Sequence, residues 1–285
     1  MIKNIWNGFS DVDTSTLVSL LPNVFAVGVY SGVIYYLEYD LLKLDFKPTP
    51  TVFSLLGVVL GLLLVFRTNT AYERWWEGRR IWGGLVDASR NLAIKLDAYL
   101  PAQDTQARVY FAKTIANYFF ALKEHLRDGV KFEELEEPER GEFDDLKKSN
   151  HVPNRISTLL FTRINKLATD KVITQEQLLT MDKLADVFTN SVGGCERIKN
   201  TPIPHSYSKH LDRFMLVYTL ILPFGFMHDL HWWTVPTMMI VYFTMEGIKT
   251  IGEEIEDPFG RDENDLQTDS ISQKMRGNIK EILVK

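Results

Sequence analysis

Charged side chains are absent from four stretches of the chain and crowded between them. Thr14–Leu37 and Pro48–Phe66 run for 24 and 19 residues without one. A helix that crosses a bilayer needs about 20 apolar residues, so both are long enough to span. Phe214–Met227 and Leu230–Met245 are shorter and are separated only by His228 and Asp229, which predicts a tight helical hairpin. The turn MHDLHWW places Trp232 and Trp233 at its end, where amphipathic indoles favour the headgroup level. Pro22, Pro223 and Pro236 fall within three of the four stretches. Each frees a carbonyl, so kinked or broken helices are expected.

The first stretch does not read as a cleaved leader. Asp11 and Asp13 make the preceding segment acidic, the block exceeds a signal core, and no Ala-x-Ala site follows. Arg67, Arg74, Arg79 and Arg80 follow the second span, whereas Lys43 and Lys47 between spans one and two are balanced by Glu38, Asp40 and Asp45. The arginine side is therefore expected to be cytoplasmic, with both termini inside. Lys209 and Arg213 before span three and Lys249 after span four agree. The pattern divides the chain into 1–66 with the first two spans, a mainly helical cytoplasmic domain at 67–209, spans three and four at 210–250, and a cytoplasmic segment at 251–285.

Outside the spans the period is helical. Trp75, Trp82, Ser89 and Leu96 recur every seven residues, with Arg79, Val86 and Ala93 beside them, so the second span is expected to continue as one long helix until Pro101. Gln106–Arg127 repeats the pattern with Phe111, Ile115, Tyr118 and Leu122. Gly129–Asn150 is strongly charged and holds Pro138 and Gly141, which reads as a mobile connection. Helices are expected again over Pro153–Ala168 and Thr174–Arg197, the latter loosened by Gly193 and Gly194. No strand alternation is present, so the fold class is all-α.

Composition then removes whole classes of function. The mean hydropathy of -0.10 hides the segregation of charge. A formal charge of -5 argues against nucleic acid as a partner, since phosphate binding needs a basic excess. A single cysteine, Cys195, excludes an internal disulfide and reads as a small buried hydrophobe. His125, His151, His205, His210, His228 and His231 form no HExxH, and no GxSxG, Walker A or GxGxxG accompanies them. No enzyme and no cofactor is indicated.

At Phe66–Arg80 the chain reads FRTNTAYERWWEGRR, opening directly out of an apolar span. This resembles the bestrophin family, especially its bacterial branch. The match continues through WGGLVDASRNLA, GGCERIKNTPIPHSYS, LPFG and EEIEDPFGRDENDL, in the family's order. The resemblance implies a homopentameric ion channel of the inner membrane with one central pore. Each subunit would give four membrane-embedded helices and a helical cytoplasmic domain, with the bilayer and small monovalent ions as the other partners.

In that family three apolar rings narrow the pore, and the matching positions are Val58, Leu62 and Phe66. A spacing of four puts them on one helix face. At about 1.5 Å per residue the outer two lie ~12 Å apart, long enough to gate by excluding water. A face toward lipid explains the same residues without a pore. Gly57 and Gly61 form a GxxxG beside them, a small-residue face for close helix packing. A second constriction, at the cytoplasmic aperture, maps near Glu176, for which a solvated first-turn acid of a helix capped by Thr174 is the favoured reading from sequence. Animal members bind calcium after span four, where Asp257, Asp262, Glu263 and Asp265 supply oxygens here. Arg261 stands among them, and a solvated acidic loop accounts for the same run. Glu246 is the ionisable group of interest in the membrane layer, with Lys249 one turn below.

Three readings follow. One is an ion channel, for which the acid-rich chain favours cations and a chloride channel is the alternative. Another is a non-conducting membrane-anchored scaffold. An intramembrane enzyme would need polar clusters at midplane depth that the spans lack.

Overall fold

The computed structural model describes residues 18–42 and 49–284. Asp11, Asp13, Thr14, Lys43, Asp45, Lys47 and Pro48, used above, lie outside them. Among the described residues every regular element is a helix. They are α1 (Leu21–Tyr35), α2 (Pro50–Tyr99), α3 (Thr105–His125), α4 (Glu142–Lys147), α5 (Val152–Thr169), α6 (Gln175–Asn200), α7 (His205–Leu230), α8 (Thr234–Glu256) and α9 (Thr268–Leu283). A π-helical turn, Tyr36–Leu42, extends α1.

The chain forms two compact units. The first holds the described residues up to Glu73 together with Ile203–Glu256, and the second holds Arg74–Pro202 and Asp257–Lys285. Helix α2 contributes to both.

In the first unit α1 packs on α8, and α7 packs on both. Phe53, Leu60 and Leu64 of α2 meet Leu211, Met215, Tyr218 and Leu222 of α7 and Met238 of α8 in an apolar core. Two glycines allow close approach: a Cβ at Gly57 would lie 2.5 Å from the Tyr218 hydroxyl, and one at Gly225 would lie 2.6 Å from the Phe53 ring. Only Pro223 of the three prolines sits inside a helix. Pro22 lies in the first turn of α1 and Pro236 in that of α8, where the missing amide is not needed, so these two start helices instead of breaking them. The hairpin reverses at His231, which takes the left-handed φ of 50°. Trp232 there packs on Tyr35 at 4.6 Å between ring centroids.

The second unit is built on the heptad face of α2. Trp82, Ser89 and Leu96 are buried. Phe111, Ile115, Tyr118 and Leu122 of α3, Ile156, Leu160 and Ile164 of α5, and Phe188 and Val192 of α6 close around them.

Three expectations are corrected. Gly129–Asn150 is anchored: Asn117 exchanges hydrogen bonds with the backbone of Glu136, and Leu135 and Leu146 are buried. Its charges had concealed those two apolar anchors. Gly193 and Gly194 do not loosen α6, which runs unbroken to Asn200. Gly194 lets Ile81 approach, a Cβ there falling 2.8 Å from the Ile81 side chain. The acidic run after α8 is not a wholly solvated loop, because Phe259, Asp265 and Leu266 are buried in it. It leads into α9, whose Met275, Ile279 and Leu283, four residues apart, join the core.

Candidate functional site

Val58, Leu62 and Phe66 lie on the segment of α2 within the first unit, and each leaves more than half of its surface uncovered, at 61%, 53% and 63%. Leu55, Val59 and Val65 are exposed beside them. The opposite side, Phe53, Leu60 and Leu64, is buried. These uncovered apolar side chains share one broad face of α2. Among the described residues a Cβ at Gly61 would meet nothing within 4 Å, so of the GxxxG pair Gly57 alone makes a close contact there.

Immediately after Phe66 the chemistry changes sides. Arg67 is buried and turned away from the exposed arc, donating to Glu253 at 3.0 Å and to Glu256 at 3.5 Å. Glu256 also accepts from the Ile203 amide at 2.9 Å, and Tyr207 donates to the Leu63 carbonyl at 2.7 Å. Lys249 lies 3.3 Å from Glu246, as the sequence suggests, and 2.9 Å from Asp212. The apolar arc thus ends without a free positive charge at Arg67.

The polar residues of the FRTNTAYERWWEGRR segment act largely as clamps. Arg74 donates to the Ile198 carbonyl at 2.6 Å and also to Thr201, satisfying carbonyls at the end of α6. Trp75 donates to the Asn264 carbonyl at 2.9 Å, and Glu77 pairs with Arg197 at 2.6 Å. Gly78 admits Phe259 and Leu266. Sequence reading identified the segment but not these partners, because they lie more than 100 residues away.

Glu176 sits exposed in the first turn of α6, below a capping box in which Thr174 and Gln177 exchange hydrogen bonds. The Thr174 hydroxyl and the helix backbone hold its carboxyl below the usual range. Three residues on, Leu179 is a large apolar side chain left 62% exposed, a feature the sequence reading missed. An apolar residue facing outward on a helix otherwise rich in charge was the available signal.

Among the described residues the four calcium candidates do not converge into a metal-sized cluster. Asp257, Asp262 and Glu263 are exposed, while the buried Asp265 accepts from the Asp262 amide at 2.7 Å. The turn already contains a cation. Arg127 donates to the Phe259 and Gly260 carbonyls, each at 3.0 Å, and pairs with Asp269 at 2.8 Å. Arg261 pairs with Asp128 at 3.1 Å and Glu124 at 3.4 Å. Cys195 is fully buried, and burial pushes its thiol up to about 12, which makes it unreactive.

A family model described as Bacterial/Fungal Bestrophin protein matches residues 2–281. The chain belongs to the bestrophin family. It is 38% identical over 230 residues to a voltage-dependent anion channel-forming protein of Nostoc sp., covering 79% of this chain and 75% of that one. A protein of Synechocystis sp. with the same descriptive name is 40% identical over 232 residues, covering 80% and 75%. Among solved structures, a bacterial bestrophin homologue from Klebsiella pneumoniae superposes with a TM-score of 0.84 at 28% identity, covering 93% of this chain and 99% of that one. The protein is thus a bestrophin-family ion channel with an all-helical fold. The stretches Thr51–Tyr99 and His205–Glu256 are long and apolar enough to cross a membrane.

Proposed function

We propose that five copies of the chain surround a central pore in the bacterial inner membrane, with both termini cytoplasmic and small monovalent ions as the permeating species. The observation that carries this reading is the uncovered apolar face of α2 at Val58, Leu62 and Phe66, which in a ring of five would form a neck able to exclude water. Four membrane-embedded helices per subunit are drawn from α1, α2, α7 and α8, with Trp232 and Trp233 at the outer headgroup level. Gly61, open within the chain, supplies a surface for a neighbouring α2.

Leu179, an exposed apolar side chain one turn from Glu176 on α6, is a second candidate for a cytoplasmic constriction, where an apolar ring can gate by excluding water. Calcium has no part in this reading. The acidic turn is held by Arg127 instead.

Cations are the favoured ions. Arg67, the positive charge nearest the neck, is neutralised by Glu253 and Glu256, and each chain carries -5. The names of the Nostoc and Synechocystis relatives favour an anion channel of the same architecture. Purified protein in planar bilayers under a KCl gradient separates the two. A reversal potential near the potassium equilibrium value is expected, and one near the chloride value would make this an anion channel. A monomer without flux would support the scaffold.

A further inference from the structure

Outside the pore-forming elements, two imidazoles and a carboxylate converge in the second unit. His125 ends α3, His151 is the N-cap of α5, and Glu196 lies on α6. The Nε2 atoms of both histidines point at the same Glu196 oxygen, from 2.7 Å and 2.8 Å, and their ring centroids are 4.4 Å apart. One ligand atom from each residue fits in a group whose members all lie within 4.8 Å of one another. All three side chains are half-buried, with 25%, 30% and 32% exposed, so solvent and a hydrated ion can reach them.

We propose that His125, His151 and Glu196 form a binding site for a divalent transition metal of the zinc class. Two imidazole nitrogens and one carboxylate oxygen are a donor set suited to such an ion, which bonds each at about 2.0–2.2 Å. The Nε2 atoms converge on the place now held by the carboxylate oxygen, and a small outward shift of Glu196 admits the ion between them. The three ligands come from helices separated in sequence, so the site exists only in the folded chain. A fourth coordination position remains for water. Glu196 and Asn154 also line an open cleft of about 850 Å³ whose walls mix Ser157 and Thr158 with Phe161 and Val192, so Glu196 is reached from solvent on that side.

Loading requires a change of tautomer at His151. The Asn154 amide donates to Nδ1 of His151 at 3.2 Å, which leaves the proton of the neutral ring on Nε2. Metal at Nε2 requires the other neutral tautomer, with the hydrogen moved to Nδ1 and no net proton released. The Asn154 amide loses its acceptor, so the metal bond replaces the helix cap.

The test uses the full chain in detergent with any affinity tag removed and ZnCl2 as the probe. Calorimetric titration is expected to show one zinc per chain, with affinity at least tenfold weaker in His125→Ala and Glu196→Gln and unchanged in His205→Ala. Equal zinc affinity in the wild type and both ligand variants would overturn the site. Should those variants fail to fold, zinc-edge X-ray absorption of the wild type loaded with one equivalent decides. Two imidazoles in the coordination shell are expected, and fewer than two would reject the assignment.

Discussion

The Arg67 guanidinium lies 3.0 Å from the Glu253 carboxylate, buried about 100° around α2 from its exposed sequence neighbour Phe66. Arg67 is buried and Glu253 is partly exposed, so the pair is screened on one side only. Arg67→Gln leaves Glu253 and Glu256 without their guanidinium. A fully buried pair broken this way costs about 3–5 kcal/mol, and the exposure of Glu253 reduces the expected loss to ~2 kcal/mol. Thermal unfolding in detergent should show it. The net negative charge added at Glu253 and Glu256 should also raise cation over anion permeability, measured as a reversal potential moving toward the potassium value.

Replacing Val58, Leu62 and Phe66 together by Ala should raise single-channel conductance, because smaller rings lower the dewetting barrier. All three side chains are uncovered in the chain, so each substitution should change subunit stability by no more than about 0.5 kcal/mol. An unchanged current with intact assembly would place the constriction elsewhere.

The GxxxG pair separates folding from assembly. Gly57→Leu drives a side chain into the Tyr218 hydroxyl, which donates to the Phe53 carbonyl at 3.3 Å. Such overpacking costs about 1–3 kcal/mol and should lower the unfolding temperature. Among the described residues a Cβ at Gly61 meets no atom within 4 Å, so the Gly61→Leu subunit should keep its stability while mass photometry records fewer pentamers. Intact pentamers of the Gly61→Leu variant would mean that α2 does not approach its neighbour at that point.

Helical periodicity carried the sequence reading furthest where burial is one-sided and regular. The seven-residue recurrence of Trp82, Ser89 and Leu96 marks the buried face of α2, and α2 ends just before Pro101 as that residue requires. The proline argument was less successful, since proline in a first helical turn looks in sequence like proline in a middle. Helix α9 escaped notice because its four-residue spacing of apolar side chains is diluted by charge. The partners of Arg67, Arg74 and Arg127 were not legible either. A cation's identity says that it needs an acceptor, whereas which distant carbonyl or carboxylate supplies one is decided by the fold. The same holds for His125, His151 and Glu196, which no local motif connects.

Asp265 gives a pH dependence whose sign is fixed by its surroundings. Burial, followed by the charges of Asp262 and Asp257, raises its carboxyl to about 6, against the hydrogen bond from the Asp262 amide. The same group in an unfolded chain titrates near ~3.9. An acid whose folded value is raised stabilises the native state fully below the unfolded value. That contribution is lost as pH rises through the folded one. The wild type should therefore lose stability between about pH 4 and pH 6, by on the order of 3 kcal/mol at 1.36 kcal/mol per unit. Asp265→Asn keeps an oxygen for the Asp262 amide, 2.7 Å away, and cannot ionise. It should match the wild type at about pH 4 and exceed it by ~3 kcal/mol at about pH 8. Thermal unfolding at the two pH values checks this. A variant equally stable at both, or weaker at the higher pH, would show that the Asp265 carboxylate is better accommodated than its burial implies.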